Sequence, residues 1–174
     1  MTVTRVVSLD DAEALARLVS ANRDYLAPWS PLQDDAYFTA DGQREVLTRQ
    51  LVAYDRGAML PLAILDSDGG VAGSINLNSI IRGAFQSASV GYWVAQSHNG
   101  RGIATAAVAD AVALAFGELN LHRLQGETLT SNTGSQRVLE RNGFIRYGFA
   151  PTYIKIAGEW QDNVLYQLIS PRPM

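Results

Sequence analysis

Residues 97–108 read SHNGRGIATAAV, and two glycines, Gly100 and Gly102, stand one position apart at the start of a long helical pattern. The preceding segment, SASVGYWVA (residues 87–95), alternates as a strand. The order is therefore strand, glycine turn, helix. It aims free backbone N–H groups and the positive end of a helix dipole beyond a sheet edge, which suits an anion such as a phosphate. A tight turn with no ligand is the competing reading of an isolated glycine pair. Neither familiar nucleotide motif fits: a Rossmann fingerprint wants Gly or Ala where Thr105 stands, and a Walker loop needs Gly-Lys-Ser/Thr.

Composition narrows the chemistry. With 174 residues, 47% apolar and 18% charged, the chain is expected to form one domain over residues 1–174 with a proper core. Its 17 acidic and 14 basic residues leave a formal charge of −3, and Lys155 is the single lysine, so a sequence-independent grip on nucleic acid is not expected. No cysteine is present, and His98 and His122 lack metal-ligand spacing, so neither a thiolate nucleophile nor a bound metal is expected. His122, beside Arg123, reads as structural. The N-terminus has no basic region followed by an apolar run, and no segment approaches 18 apolar residues; a cytoplasmic protein is expected.

The elements follow from periodicity. Residues 3–7 alternate as a strand; SLDD (8–11) matches a capping box ahead of a helix whose inner face is Ala12, Leu15, Ala16 and Val19. LAPWSPLQDD, with two prolines, predicts an irregular loop that exposes Trp29, before a helix over 39–54. Segments 59–65 and 71–80 flank the turn DSDGG as a hairpin, and the 87–95 strand completes an antiparallel meander. The helix over 102–120 presents Ala104, Val108, Ala111, Val112, Ala115, Phe116 and Leu119 on one face. HRLQGETLT predicts another strand, SQRVLERN a short helix stopped by Gly143, and FIRYGFA and NVLYQLI two late strands around a turn at Gly158.

Two longer stretches, VGYWVAQSHNGRGIATAAV (90–108) and LHRLQGETLTSNTGSQRVLERNGF (121–144), resemble the Gcn5-related N-acetyltransferase (GNAT) superfamily, in particular its ribosomal-protein N-terminal acetyltransferase (RimJ/RimL-like) branch. NRDYLAPWSP and YIKIAGEWQDNVLY extend the likeness over nearly the whole chain. The resemblance implies an α/β (α+β) fold with a mixed, mostly antiparallel central sheet, splayed at the middle and flanked by helices, with acetyl-CoA in the opening. It assigns the pyrophosphate to the backbone of Asn99, Gly100, Arg101, Gly102, Ile103 and Ala104, and the pantetheine arm to the strand Tyr92, Trp93, Val94. Trp93 is otherwise core. The family usually carries Gln or Arg where Ser97 stands, and Arg101 is one source of the missing charge; a solvated surface arginine is the alternative.

The resemblance also bears on catalysis. Many members protonate the departing thiolate with a Tyr at the position of Leu139, which cannot do so. The RimJ/RimL-like branch resembles the pair Asn132 and Ser135 instead, and assigns the sulfur contact to its serine; the alternative is that Asn132 or Ser135 caps the following helix. Family positions for a general base hold Ser89 and Ile154 here, while Glu127, inside a strand beside the expected cleft, reads as a paired or edge glutamate rather than a base. Trp29, Tyr153 and Trp160 lie in segments that wall the acceptor pocket of that branch. The expected partners are acetyl-CoA and a primary amine, most simply a protein N-terminus, with no nucleic acid and no membrane; a homodimer is left open. Acetylation of a small amine such as an antibiotic or polyamine, and acyl-CoA binding without turnover, are the competing functions.

Overall fold

The computed structural model describes residues 2–171 and contains, among these, one seven-stranded sheet. Its strands are β1 (Thr4–Val6), β2 (Leu60–Leu65), β3 (Val71–Ile81), β4 (Ser87–Val94), β5 (Arg123–Leu129), β6 (Ile145–Ile156) and β7 (Glu159–Ile169). The helices are α1 (Ala12–Ala21), α2 (Arg23–Leu26), α3 (Ala40–Asp55), α4 (Ile103–Gly117) and α5 (Thr133–Arg141). The strand order is β1-β2-β3-β4-β5-β7-β6, antiparallel throughout except where β4 meets β5. This is the mixed, mostly antiparallel sheet implied above.

Strand alternation divides the core into two layers. Leu62, Ile64, Ile75, Leu77, Val90 and Leu124 turn to one face and pack on Val108, Ala111, Ala115 and Phe116 of α4 and Leu139 of α5. The other face carries Ala63, which packs with Val7, Ala12, Leu15 and Leu47 from the segments of α1 and α3. Each fully buried Leu or Ile contributes about 1.5–3 kcal/mol of transfer free energy. Alanines on α4 let its backbone come close to the sheet, and Asp110 ties it to β1 by accepting from the Val3 N–H at 2.7 Å and the Thr4 hydroxyl at 3.1 Å.

Three elements differ from the sequence expectation. α4 ends at Gly117, three residues before Asn120, whose φ of 49° has left the helix. The segment LAPWSPLQDD is not wholly irregular: it begins on the last residue of α2, contains the 3-10 turn Ala27–Trp29 and ends on the first residue of another, Asp35–Phe38. The last two strands extend well beyond FIRYGFA and NVLYQLI, because Ala157 and Gly158, at φ 51° and 84°, supply the tight turn that lets the hairpin continue outward. Residues on that outer part are mostly exposed, so no hydrophobic alternation marks it.

At the entry to α1 the capping box of Ser8 and Asp11 is present, and the Ser8 N–H donates to Asp11 Oδ2 at 2.8 Å. Both Asp11 oxygens also accept from Arg5, at 2.6 and 2.8 Å. This Arg5 hydrogen bond is the main reason the buried carboxyl titrates below its ordinary 3.8. A depressed carboxylate pKa stabilises the fold above its unfolded value and stops doing so as pH falls. Asp11→Asn is expected to lower stability by about 1–2 kcal/mol at neutral pH, with the gap to wild type closing below about pH 4, as read by chemical denaturation.

Candidate active site

Strands β4 and β5 pair through Ser87–Arg123, Ala88–Leu124 and Ser89–Gln125, and no further. Beyond that point β4 stays paired with β3, and β5 with β7, so the sheet opens between them. A cleft of about 530 Å³ occupies the opening. Its walls are Tyr92, Trp93 and Val94 of β4; His98, Asn99, Gly100 and Gly102 of the following loop; Ile103, Ala104 and Thr105 of α4; residues 131–135, Arg137, Val138 and Arg141 of the β5–α5 arm; and Tyr25, Leu26 and Trp29.

The loop is built to offer amides. Gly100 and Gly102 hold φ of 75° and 78°, and a Cβ placed on either meets nothing within 4 Å. Backbone conformation, not crowding, requires glycine here, and the face of the loop is open to a bulky anion. Gly102 is the N-cap of α4, and its carbonyl accepts from the Ala106 N–H at 3.0 Å, so the amides of the first helical turn point forward with no acceptor inside the helix. Side chains from elsewhere brace the loop: Asn22 Oδ1 accepts from the Gln96 N–H at 2.8 Å, and the Tyr25 hydroxyl accepts from the Asn99 amide at 2.6 Å. His98 lies 3.6 Å from Asp66. Arg101 is exposed and outside the cleft lining; the guanidinium-bearing residues of the lining are Arg137 and Arg141, one turn apart on α5.

Two hydroxyls, Tyr92 of β4 and Ser135 of α5, meet across the cleft. Asn132 caps α5, its Oδ1 accepting from the Ser135 N–H at 3.0 Å. The Ser135 hydroxyl donates to the Tyr92 hydroxyl at 2.8 Å, and Tyr92 donates to the Ser135 carbonyl at 3.0 Å. Burial, opposed weakly by the Ser135 bond, pushes the Tyr92 phenol up to about 12. Leu139 is buried to 1% exposure, and Gly126 makes room for it: a Cβ there would lie 2.9 Å from Leu139 Cδ1. Among the described residues, no group of three or more His, Cys, Asp or Glu is placed to hold a metal ion.

Comparison with known proteins agrees with this geometry. Residues 2–145 match the model of the acetyltransferase (GNAT) domain. The chain belongs to the GNAT acetyltransferase family. It is 38% identical to a Bacillus subtilis (strain 168) protein named "Probable N-acetyltransferase YjcK", over 96% of this chain and 93% of that one. It is 29% identical to the [ribosomal protein uS5]-alanine N-acetyltransferase of Escherichia coli (strain K12), over 97% of this chain and 88% of that one. Mycobacterium smegmatis RimJ, solved in complex with CoA-disulfide, superposes with a TM-score of 0.93 at 32% identity, covering 97% of this chain and 83% of that one. The chain is therefore an N-acetyltransferase related to the ribosomal-protein acetyltransferases.

Within the GNAT cleft the structure brings together Tyr92, Trp93, Val94, Asn99, Gly100, Gly102, Ile103, Ala104, Asn132, Ser135 and Trp29. It leaves out Arg101 and also Tyr153 and Trp160, which are 47% and 63% exposed on the outer part of the β6–β7 hairpin. Glu127 sits two residues beyond Gln125, the last β5 residue paired with β4, and accepts from the Ser89 hydroxyl at 2.6 Å. Sequence reasoning did not single out Tyr25, Arg137 or Arg141. The arginines carried one legible signal, a four-residue spacing on the helix that follows the Asn132–Ser135 pair. Nothing local marks Tyr25, which meets Asn99 across 74 positions of chain.

A phenol with a raised pKa stabilises the fold while protonated in both states, and that contribution is lost as pH rises through the folded value. For Tyr92 the window runs from about pH 10 to about 12. Wild type is expected to lose roughly 2–3 kcal/mol more stability across that window than Tyr92→Phe, which has no proton to lose, as read by chemical denaturation at each pH.

Proposed function

We propose that this enzyme transfers the acetyl group of acetyl-CoA to a primary amine, most simply the α-amino group of a protein N-terminus, by direct attack with both substrates bound. The observation that carries the reading is the parted pair of strands above an open, positive-φ glycine loop at the start of α4. The names of the relatives support the acceptor, and the CoA complex of M. smegmatis RimJ supports the acyl donor.

The residues fit CoA in three ways. The amides of residues 99–104 suit a pyrophosphate, and Arg137 and Arg141 add positive charge at the cleft. The inner edge of β4 beyond Ser89 has no ladder partner on its β5 side, so Tyr92, Trp93 and Val94 can pair with the two amides of pantetheine much as with an added strand. Ser135, on the facing wall, is the hydroxyl for the sulfur. In the reaction the amine nitrogen bonds to the carbonyl carbon, the C–S bond breaks with its electron pair on sulfur, and the proton lost by nitrogen is balanced by the one gained by sulfur. A hydrogen bond from Ser135 favours the step because charge on sulfur grows as the bond breaks. A terminal amine with pKa about 7.7–8.0 is partly neutral at pH 7, so no strong base is required. Trp29 walls the acceptor side of the cleft; Tyr153 and Trp160 are in reach only of the more distant parts of a large acceptor. Residues 1–174 act as one domain, in the cytoplasm.

Gly102→Val is expected to weaken CoA binding by tenfold or more, about 1.4 kcal/mol, in calorimetry on the folded variant, since an L residue resists φ 78° there. Unchanged affinity would reject the placement of the pyrophosphate. Ser135→Ala is expected to lower kcat on the order of 10²-fold with KM for acetyl-CoA nearly constant. Wild-type turnover in that folded variant would leave Ser135 with no part in the chemistry. A panel of N-terminal peptides and small amines tests the acceptor: turnover of polyamines or antibiotics alone would replace the N-terminal reading, and tight CoA binding with no thiol release for any amine would make the chain a binding protein.

A further inference from the structure

The tyrosine that many GNAT enzymes place on the helix is replaced by the core residue Leu139, yet a phenol still reaches Ser135, from the other arm of the cleft. Three other phenol hydroxyls are engaged elsewhere: Tyr25 with Asn99, Tyr147 with Gln125 at 2.9 Å, and Tyr166 with Glu140 at 3.0 Å. Tyr92 stands three residues beyond the last pair joining β4 to β5, where the arms have parted, and it spans the gap with two hydrogen bonds to a single residue of α5. One bond goes to the Ser135 side chain and the other involves its backbone carbonyl, so both the position of the residue and the orientation of its hydroxyl are set from β4.

We propose that Tyr92 is a positioning residue for acetyl transfer, its hydroxyl holding the Ser135 side chain in the rotamer from which the Ser135 proton turns to the departing sulfur. The inference rests on the assignment of Ser135 to the sulfur.

The hydroxyl chain can make this contact without leaving a group unpaired. Before the sulfur arrives, the Ser135 proton points to the Tyr92 oxygen. When that proton turns to sulfur, the Tyr92 hydroxyl still has the Ser135 carbonyl at 3.0 Å and the Ser135 oxygen at 2.8 Å as acceptors. Both residues keep their own protons through the reaction. Burial favours this role, because it keeps the phenol neutral, and so a donor, until about pH 12. The size of the effect follows from what is being restrained. A serine side chain has three staggered wells, and its O–H bond has a similar number of orientations, so selecting one of each is worth on the order of tenfold. That is smaller than the roughly 10²-fold expected for deleting the donor itself.

The chain contains no cysteine, so the thiol of bound CoA is the single thiol in the complex and its ionisation can be followed without an acceptor. The experiment measures the pH dependence of alkylation of enzyme-bound CoA by iodoacetamide for wild type, Tyr92→Phe, Ser135→Ala and the double variant, each at saturating CoA and each checked by thermal unfolding. Tyr92→Phe removes one oxygen and keeps the ring that packs on the core. A thiolate held by an oriented Ser135 ionises at lower pH than one without it, so Ser135→Ala is expected to raise the thiol pKa by about two units, Tyr92→Phe by about one, and the double variant no further than Ser135→Ala alone. A wild-type thiol pKa in folded Tyr92→Phe overturns the inference while leaving Ser135 in place, as does a full extra shift from Tyr92→Phe in the Ser135→Ala background. A wild-type value in Ser135→Ala removes the assignment beneath it.

Discussion

Three residue pairs join β4 to β5, and beyond them the strands separate while each keeps its antiparallel partner on the outer side. The consequence is an unpaired inner edge in the middle of a sheet. Backbone N–H and C=O groups left this way are costly unless water or a ligand reaches them, so the opening is a site that a strand-like molecule can complete. The loop leading to α4, the cap of α5 and the Tyr92–Ser135 bridge all take their positions from this divergence.

A cleft of this kind is useful only if its walls do not drift. Asn22 and Tyr25 hold the glycine loop from one side, and Asn132 holds the first turn of α5 on the other. Tyr92 connects the two arms, and Leu139 packed on Gly126 seats α5 against β5. Individually each bond contributes about 1 kcal/mol. In the proposed function their collective effect is to prepare donors for charge on phosphate and sulfur, so that little reorganisation is needed when substrate binds. Leu139 at the position of a helical tyrosine is compatible with the proposed reaction, in which Ser135 and Tyr92 supply the hydroxyls, and it is buried at 1% exposure against Gly126.

Much of this was legible beforehand wherever the governing rule is local. The inner face of α1, helix α3, the meander of β2, β3 and β4, and the turn at Gly158 are all set by periodicity or by residues with special backbone freedom. So was the glycine loop, since a strand, two glycines and a helix in succession place amides at one point. The long β6–β7 hairpin was read too short because its outer residues face solvent on both sides and show no alternation. Arg101, beside the glycines in sequence, points out of the cleft, whereas Arg137 and Arg141, more than thirty positions away, line it.

Neighbours in sequence thus established most of the elements, the glycine loop before α4 and the family resemblance, because caps, turns and amphipathic faces depend on contacts within a few residues. Which side chains share the cleft was decided by tertiary structure alone. The Tyr92–Ser135 pair spans 43 positions and the Asn99–Tyr25 pair 74. Such contacts exist only once β4 and β5 have been laid side by side, parted, and covered by α4 and α5, and the energies that bring this about come from apolar burial distributed over two core layers rather than from any motif.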